Sequence, residues 1–246
     1  MKIARLSDRI EALESQLWIG RTPSRGSGNW LAPSPGFIGG FEQLFIRHQH
    51  SEPDETTNKS FRSTQRISLG WMNGAGSYVQ IRYFDYPSTT FDYDESVEAT
   101  TFDAEYGGRF KLGNNFAGSL SGGLRFSRYD DQDLDYDDSI GPLLGAEIRS
   151  QLSGSFALYG LLRHSIQFGN SPQRSLFSMG EEVPGSYGIT DMQVGVEIQR
   201  RFQTCGNAPF GFVRCGLETQ QWSGMADEDS EDISLIGFSI TVGLSR

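Results

Sequence analysis

The sequence predicts an all-β protein: a ten-stranded antiparallel transmembrane β-barrel of up-and-down topology, with a short N-terminal α-helix. Three observations predict this fold. Ten segments alternate apolar and polar residues with a period of two, as strands do when their two faces meet different surroundings. The connections between these segments are long and short in turn. Most acidic residues fall in or beside the long connections.

Residues 1–19 are the segment with a helical pattern. Its apolar residues recur at spacings of three and four, as in the seam of an amphipathic helix: Ile3, Leu6, Ile10, Leu13 and Leu17. Two interpretations stay open, a helix packed on its own domain and a coiled-coil-like helix through which copies of the chain form a homo-oligomer. Residues 20–36 are rich in Gly, Ser and Pro, which predicts a linker.

The barrel is expected over residues 37–246. No run reaches the roughly 18–20 apolar residues of a membrane-spanning helix. Segments of ten or more alternating residues instead match a tilted transmembrane strand, which needs about 9–11 residues. The predicted strands lie at about 37–49, 61–72, 77–86, 97–112, 116–128, 140–152, 156–168, 187–202, 208–221 and 233–245.

The connections give the barrel an orientation. Short turns are expected at 73–76, 113–115, 153–155 and near 204–207. Of the 31 acidic residues, 21 fall in or beside the five long connections, where Lys59 and Arg174 are the basic residues. Because outer-membrane barrels have long extracellular loops and short periplasmic turns, the acidic end is expected at the cell surface and both termini in the periplasm.

The predicted location is therefore the bacterial outer membrane, with outer-membrane lipid around the barrel. Residues 1–20 contain no apolar signal-peptide core, so the export signal is expected to lie outside this numbering. The net charge of −10 disfavours a nucleic-acid partner, which requires clustered Lys and Arg.

Charged residues within the strands are expected to face the barrel interior and to line a pore. A Lys or Arg side chain facing the hydrocarbon near its midplane costs roughly 2–4 kcal/mol, so these side chains should avoid lipid. The near balance of charge predicts ion pairs across the lumen. On the first strand, Glu42 shares a face with Leu44 and Ile46, so its register stays open. The predicted interior residues are Arg66, Arg82, Asp103, Glu105, Arg109, Lys111, Arg125, Glu147, Arg149, Arg163, Asp191, Glu197, Arg214 and Glu218.

Two functions follow from this fold. The first is passive passage of ions or small solutes through a narrow, charge-lined pore, as in a porin. The alternative is a closed barrel that links or decorates the envelope without transport. Barrels of about eight strands can be filled by their own side chains, whereas those of about sixteen leave a channel. A ten-stranded barrel is closer in size to the filled barrels than to the open channels, so both hypotheses stand.

From residue 36 to residue 246 the chain resembles the Legionella-type major outer membrane protein family. The resemblance implies a pore-forming outer-membrane barrel and supplies no catalytic residues. The similar segments, in order, are GFIGGFEQLFIR at 36–47, IRYFDY at 81–86, TTFDAEYGGRF at 100–110, GGLRFSRYDD at 122–131, IGPLLGAEIR at 140–149, LYGLLRHSIQFGNS at 158–171, VGVEIQRRF at 194–202, GLETQQW at 216–222 and IGFSITVGLSR at 236–246.

We expect no enzymatic activity and no cofactor. The outer-membrane protease barrels use an Asp-x-His pair, and none of His48, His50 and His164 lies two residues after an Asp. His164 and Ser165 are adjacent in sequence, so a strand points their side chains to opposite faces. They therefore cannot form the His–Ser pair of a hydrolase, which needs both groups on one face. His48 and His50 lack a third metal ligand, so no metal site is expected there.

Two further features have structural and functional interpretations. Asp131, Asp133, Asp135 and Asp137 alternate like the ligands of a calcium loop, but Tyr136 and Pro142 stand where that loop requires Gly and Glu. Two interpretations of this segment stay open, a solvated acidic loop and a loop that binds a divalent ion weakly. Cys205 falls in a turn and Cys215 well along a strand, a separation that predicts no disulfide between them.

Overall fold

The computed structural model describes residues 35–50, 61–86, 98–130, 135–172, 182–201, 210–224 and 232–245. These residues form ten β-strands, at positions that agree with the sequence prediction. The strands are β1 (Gly36–His50), β2 (Arg62–Met72), β3 (Ser77–Tyr86), β4 (Glu98–Lys111), β5 (Phe116–Asp130), β6 (Asp135–Ser153), β7 (Phe156–Pro172), β8 (Glu182–Arg201), β9 (Phe210–Ser223) and β10 (Ile233–Ser245).

The ten strands form one closed antiparallel barrel. Each strand pairs with its neighbours in sequence, and β1 pairs with β10 to close the sheet. The predicted ten-stranded antiparallel up-and-down barrel is thus confirmed. The predicted N-terminal helix and most of the predicted linker lie outside the described residues. Within the described ranges, no helix is both long enough and apolar enough to cross a bilayer.

Short turns connect β2 to β3, β4 to β5 and β6 to β7, as predicted. We call their side of the barrel the turn end and the opposite side the loop end. The turn between β2 and β3 is fixed by Asn73, whose Oδ1 accepts hydrogen bonds from the backbone N–H groups of Ala75 and Ser77 at 2.9 and 3.0 Å. Gly76 has a φ of 87°, which favours glycine. The predicted turn near 204–207 lies outside the described residues.

Three strands extend further toward the loop end than predicted. β6 begins at Asp135 rather than near residue 140, β7 continues to Pro172, and β8 begins at Glu182 rather than near residue 187. Asp130 pairs with Asp135, and Pro172 pairs with Glu182. The alternation failed to mark these extensions because they lie beyond the apolar outer face, where neither side of the sheet has to be apolar.

The outer face of the barrel is apolar. On β7 the outward positions Phe156, Leu158, Leu162, Ile166 and Phe168 are 45–56% exposed. Exposed aromatic residues lie toward both ends of this face: Trp71, Tyr106 and Phe116 toward the turn end, and Tyr83, Phe102 and Phe126 toward the loop end. A soluble barrel would place such residues inside, whereas a barrel in a bilayer presents this band and these aromatic girdles to lipid.

Polar residues end the apolar face on the loop side of β2 to β5. Four outward-facing residues form a row of successive cross-strand partners: Gln65, Asp85, Thr100 and Arg128. The Thr100 hydroxyl donates a hydrogen bond to the Asp85 carboxylate at 3.1 Å. This row marks the level at which the outer surface changes from apolar to polar.

Inward-facing glycines let neighbouring strands approach closely. A Cβ added at Gly123 on β5 would lie 2.0 Å from the carbonyl oxygen of Ala104 on β4. A Cβ at Gly141 on β6 would lie 1.7 Å from the carbonyl oxygen of Ile166 on β7. Because no side chain fits at such distances, these glycines are required by the curvature of the sheet.

Candidate functional site

The loop end of the barrel interior is filled by one apolar cluster, which we call the loop-end cluster. Its members come from seven strands and are at most 3% exposed. The Trp222 ring on β9 lies 5.5 Å from the Tyr129 ring on β5 and 5.8 Å from the Tyr187 ring on β8. Since β5 and β9 are not neighbours, the Trp222–Tyr129 contact crosses the lumen, whereas Tyr187 lies on β8, the strand next to β9. The members are Leu44, Ile46, Phe84, Tyr86, Ala99, Tyr129, Tyr187, Ile189, Trp222, Ile233 and Leu235.

The loop-end cluster explains the ambiguity of the first strand. Glu42, Leu44 and Ile46 all face the interior, with exposures of 6%, 0% and 2%. The assumption that apolar residues face lipid fails here, because the interior itself is apolar toward the loop end. Glu42 is therefore an interior charge that sequence reasoning could not place.

Below the cluster, Arg125 joins opposite sides of the barrel. Its Nε and Nη2 donate hydrogen bonds of 2.7 and 2.9 Å to the two carboxylate oxygens of Asp103 on β4. Its Nη2 also donates to Asp191 on β8 at 2.6 Å. Asp191 accepts a second hydrogen bond from Gln220 at 2.7 Å, and Gln220 accepts one from the indole N–H of Trp222 at 3.2 Å. This chain links the charged interior to the loop-end cluster.

Glu42 is the centre of a second set of polar contacts. Its carboxylate accepts hydrogen bonds from Arg66 on β2 at 2.8 Å, Gln193 on β8 at 2.6 Å and Thr241 on β10 at 3.0 Å. Arg66 also bonds to Glu218 on β9, which accepts a further bond from Gln193 at 3.0 Å. Residues from five strands thus meet in one buried group of ion pairs and hydrogen bonds.

Glu105 on β4 makes a third connection across the interior. It accepts a hydrogen bond from Arg163 on β7 at 3.1 Å and another from Ser121 on β5 at 2.7 Å. Arg163 is 9% exposed and Glu105 4% exposed. A carboxylate this deeply buried is held by the two donors together.

A fourth group lies toward the turn end. Arg214 on β9 donates hydrogen bonds to Glu197 on β8 at 2.5 Å and to Glu147 on β6 at 2.9 Å. Arg149 pairs with the same two carboxylates, with Glu197 at 3.5 Å. The Arg214 guanidinium also lies over the ring of Tyr159 at 4.7 Å. This group extends the polar filling below the central contacts.

The structure places the predicted interior residues on the inner face and brings most of them together. Arg109, Lys111, Glu147 and Arg149 are partly exposed near the turn end, and the others are buried. Arg109 takes part in no ion pair within 4.0 Å among the described residues. Sequence reasoning missed the uncharged partners Gln193, Gln220 and Thr241, because an uncharged polar residue at a single strand position carries no signal of its partners. That these residues line an open pore stays a prediction.

A cavity of about 90 Å³ lies between these contacts and the turn end. Ile38 and Phe212, near the turn end of β1 and β9, form part of its wall. Six arginines and two glutamates contribute to the lining: Arg66, Arg82, Arg109, Arg149, Arg163, Arg214, Glu42 and Glu147.

Among the described side chains, His164 and Ser165 lie on opposite faces of β7. His164 lies on the outer face, with its Nδ1 2.9 Å from the Thr190 hydroxyl, whereas Ser165 is buried inside. The prediction that these two residues face opposite ways is confirmed. His48 is buried in the interior, and nothing is described of the side chain of His50. Within the described ranges, no three His, Cys, Asp or Glu side chains are grouped as metal ligands would be.

Two other predictions fall largely on residues that the structure does not describe. Asp131 and Asp133 lie outside the described residues, and Asp135 and Asp137 begin β6, where their side chains are not described. Cys215 is exposed on the outer face of β9, and Cys205 lies outside the described residues. The divalent-ion loop and the absence of a disulfide therefore stay predictions.

The sequence matches no protein-family model and no curated protein. Among solved structures, the chain is similar to the monoaromatic hydrocarbon channel CymD, with 10% identity, 94% of this chain and 96% of that chain covered, and a TM-score of 0.35. It is similar to the outer membrane protease OmpT from Escherichia coli, with 10% identity, coverages of 85% and 93%, and a TM-score of 0.41. It is also similar to the β-domain of the Bordetella autotransporter BrkA, with 13% identity, coverages of 85% and 98%, and a TM-score of 0.39. Similarities this low transfer no function to this chain.

Proposed function

We propose that this chain is an integral barrel of the bacterial outer membrane, closed to solutes, that serves as a structural or surface protein of the envelope. The observation that carries the proposal is the loop-end cluster, in which Trp222 meets Tyr129 across the lumen and stacks on Tyr187 of the neighbouring strand. Its members are almost fully buried, so this level of the barrel has no room for a column of water. The ion pairs of Arg125 and Arg66 fill the level below.

The membrane location is supported by the distribution of polarity. Exposed apolar side chains cover the outer face, while charged side chains face inward and pair with one another. Hydrocarbon around the barrel removes the penalty of exposing the apolar face to water, and the buried pairs keep charge away from lipid. The acidic long connections and the resemblance to the Legionella-type major outer membrane protein family support the outer membrane in particular.

A narrow pore is the second candidate, and the charged interior and the family resemblance favour it. Ion passage would require Trp222 to separate from Tyr129 on the opposite side of the lumen. It would also require cross-lumen pairs such as Arg125–Asp191 to open. Conduction in this candidate is therefore gated, with rare openings.

An enzymatic function is not part of the proposal. His164 lies on the outer face and Ser165 on the inner face, so the two side chains cannot act on one substrate. The carboxylates of the interior are taken up by arginines, which leaves no acid–base pair facing a substrate-sized opening among the described residues.

Planar-bilayer recording separates the two candidates. We expect no discrete current steps from the purified protein under applied voltage, because the lumen is filled at two levels. Heat-modifiable gel mobility of the same sample verifies that the barrel is folded. Discrete current steps whose ion selectivity changes in Arg109→Glu would refute the closed barrel and support the pore, because Arg109 lies on the cavity wall.

Residues 1–19 are proposed to join copies of the chain. We expect light scattering of the full chain to give at least a dimer, and Leu6→Glu with Leu13→Glu to give a monomer, because both substitutions put charge into the apolar seam. Ser7→Glu with Ser15→Glu adds the same charge outside the seam and serves as the control. Equal masses for the two double variants would refute the association.

A further inference from the structure

Three polar side chains lie together within the apolar outer face, where β1 and β2 pair. Gln43 and Gln65 are cross-strand partners, and Ser63 is the next outward residue along β2. Ser63 and Gln65 are exposed, and Gln43 is partly exposed. The Nε2 of Gln43 donates hydrogen bonds to the Ser63 hydroxyl at 2.7 Å and to the Thr64 carbonyl oxygen at 2.8 Å. We call Gln43, Ser63 and Gln65 the β1–β2 polar patch.

Apolar side chains lie on both sides of this patch along the strands. Phe41 and Ile67 are cross-strand partners one outward position nearer the turn end. On the loop side, the Phe45 ring stacks on Phe238 of β10 at 4.8 Å, and the Phe61 ring lies 6.1 Å from the same ring. Because aromatic residues lie at the edges of a lipid-facing band, the patch lies inside the band and not beyond it.

The patch offers hydrogen-bond donors and acceptors to whatever covers it. The amide of Gln65 has two N–H donors and a carbonyl acceptor, and acyl chains can bond to neither. Gln43 uses both N–H groups within β1 and β2, so its Oε1 is left as an acceptor. The Ser63 hydroxyl accepts from Gln43 and can still donate. A surface with donors and acceptors side by side is complementary to itself.

We propose that the β1–β2 polar patch is the contact surface for a second copy of this chain within the membrane, with the Gln65 amides of the two copies paired. Copies inserted in the same direction hold the patch at the same depth. A two-fold axis along the membrane normal therefore brings patch against patch. Hydrogen bonds between polar side chains stabilise such contacts, because the surrounding hydrocarbon supplies no partner of its own.

This inference goes beyond the proposed function and rests on the membrane location given there. It is separate from the association of residues 1–19. The predicted linker 20–36 ends where β1 begins, so associated helices would keep two copies of β1 close together. The helix then sets how often two barrels meet, and the patch sets which faces meet.

Disulfide cross-linking in lipid vesicles tests the surface. One cysteine, Ile67→Cys, is placed beside Gln65 but outside the patch, in a full chain that carries Cys205→Ser and Cys215→Ser. The matched control is Leu162→Cys, which is similarly exposed on β7, on the opposite side of the barrel. With copper phenanthroline as the oxidant, we expect Ile67→Cys to give covalent dimer about tenfold faster than the control, since each intermembrane hydrogen bond is worth about threefold and the two-fold axis supplies two.

Gln43→Leu with Gln65→Leu, added to Ile67→Cys, removes the hydrogen bonds of the patch. Leucine suits a lipid-facing position, so this variant is expected to fold, and its cross-linking should fall to the rate of Leu162→Cys. Thr219→Val, which removes an outward polar group from β9, should leave the rate of Ile67→Cys unchanged.

Two measurements separate this contact from the other proposals. Flotation of the vesicles and heat-modifiable gel mobility show that each variant is inserted and folded, so a failure of the membrane location is seen before any cross-linking. Leu6→Glu with Leu13→Glu should slow both cysteine variants alike and leave the preference for Ile67→Cys, because it changes the helix and not the patch.

Three results would overturn the contact. Equal cross-linking rates of Ile67→Cys and Leu162→Cys in the inserted, folded chain would mean that lipid covers the patch. An undiminished preference after Gln43→Leu and Gln65→Leu would mean that the polar groups do not hold the two faces together. In cells, a cross-linked product of Ile67→Cys that replaces the dimer and differs from twice the mass of the chain would assign the surface to another protein.

Discussion

Arg125→Met is expected to destabilise the barrel by roughly 3–5 kcal/mol, because removing one partner of a buried ion pair leaves an uncompensated charge. Arg125 is 1% exposed and bonds to Asp103 at 2.7 and 2.9 Å and to Asp191 at 2.6 Å. Methionine fills a similar volume without donating a hydrogen bond. Equilibrium unfolding in urea with the barrel in detergent or lipid vesicles measures the loss.

Arg128→Met is the matched control, since Arg128 lies three residues further along β5 on the exposed outer side. Its expected effect is within about 0.5 kcal/mol, the usual range for surface substitutions. Adding Asp103→Asn and Asp191→Asn to Arg125→Met removes both orphaned charges and should recover part of the stability. An Arg125→Met variant as stable as Arg128→Met would show that this ion pair does not hold the interior together.

Gly123→Ala is expected to prevent correct closure of the barrel or to weaken it strongly. The new methyl group would lie 2.0 Å from the Ala104 carbonyl oxygen, and this atom belongs to the backbone of β4, which cannot turn aside as a side chain can. We expect a cost at or above the upper end of the roughly 1–3 kcal/mol that overpacking a core brings. The folded fraction, read from heat-modifiable gel mobility, and urea unfolding measure it.

Gly122→Ala gives a control one residue away. A Cβ at Gly122 would meet its nearest atom, a methyl group of Leu144, at 3.7 Å, which is ordinary contact. Its effect should stay within about 0.5 kcal/mol. Gly141→Ala repeats the test at a second site, where the Ile166 carbonyl oxygen would lie 1.7 Å away. Barrels of normal stability in Gly123→Ala and Gly141→Ala would mean that the strands can separate without loss of the fold.

Much of the fold could be predicted from local sequence. The alternation over residues 116–128 and 233–245 predicted β5 and β10 with boundaries close to those observed. Asn73 and Gly76 mark the turn between β2 and β3 by their chemistry. A strand's period of two and a turn's φ angles depend on a few adjacent residues, so both features can be predicted from a short stretch of sequence.

The sequence predicted which charged residues face the interior, but not which of them contact one another. Parity placed Arg66, Asp103 and Arg125 on the inner face, because charge avoids hydrocarbon. Parity could not say that Arg125 reaches Asp191 or that Arg66 reaches Glu218. Those partners are set by the stagger of strands far apart in sequence, which is a property of the closed sheet.

The local pattern of residues specifies the number of strands, the positions of the short turns and the separation of inward charged positions from outward apolar ones. The closed barrel shows, as the local pattern does not, that Leu44, Tyr129 and Trp222 form an apolar cluster in the interior. An apolar side chain on an alternating strand can face lipid or an apolar interior, and the local pattern is the same in both cases. Which of the two it faces depends on how ten strands curve and close, because closure decides which side chains meet across the lumen.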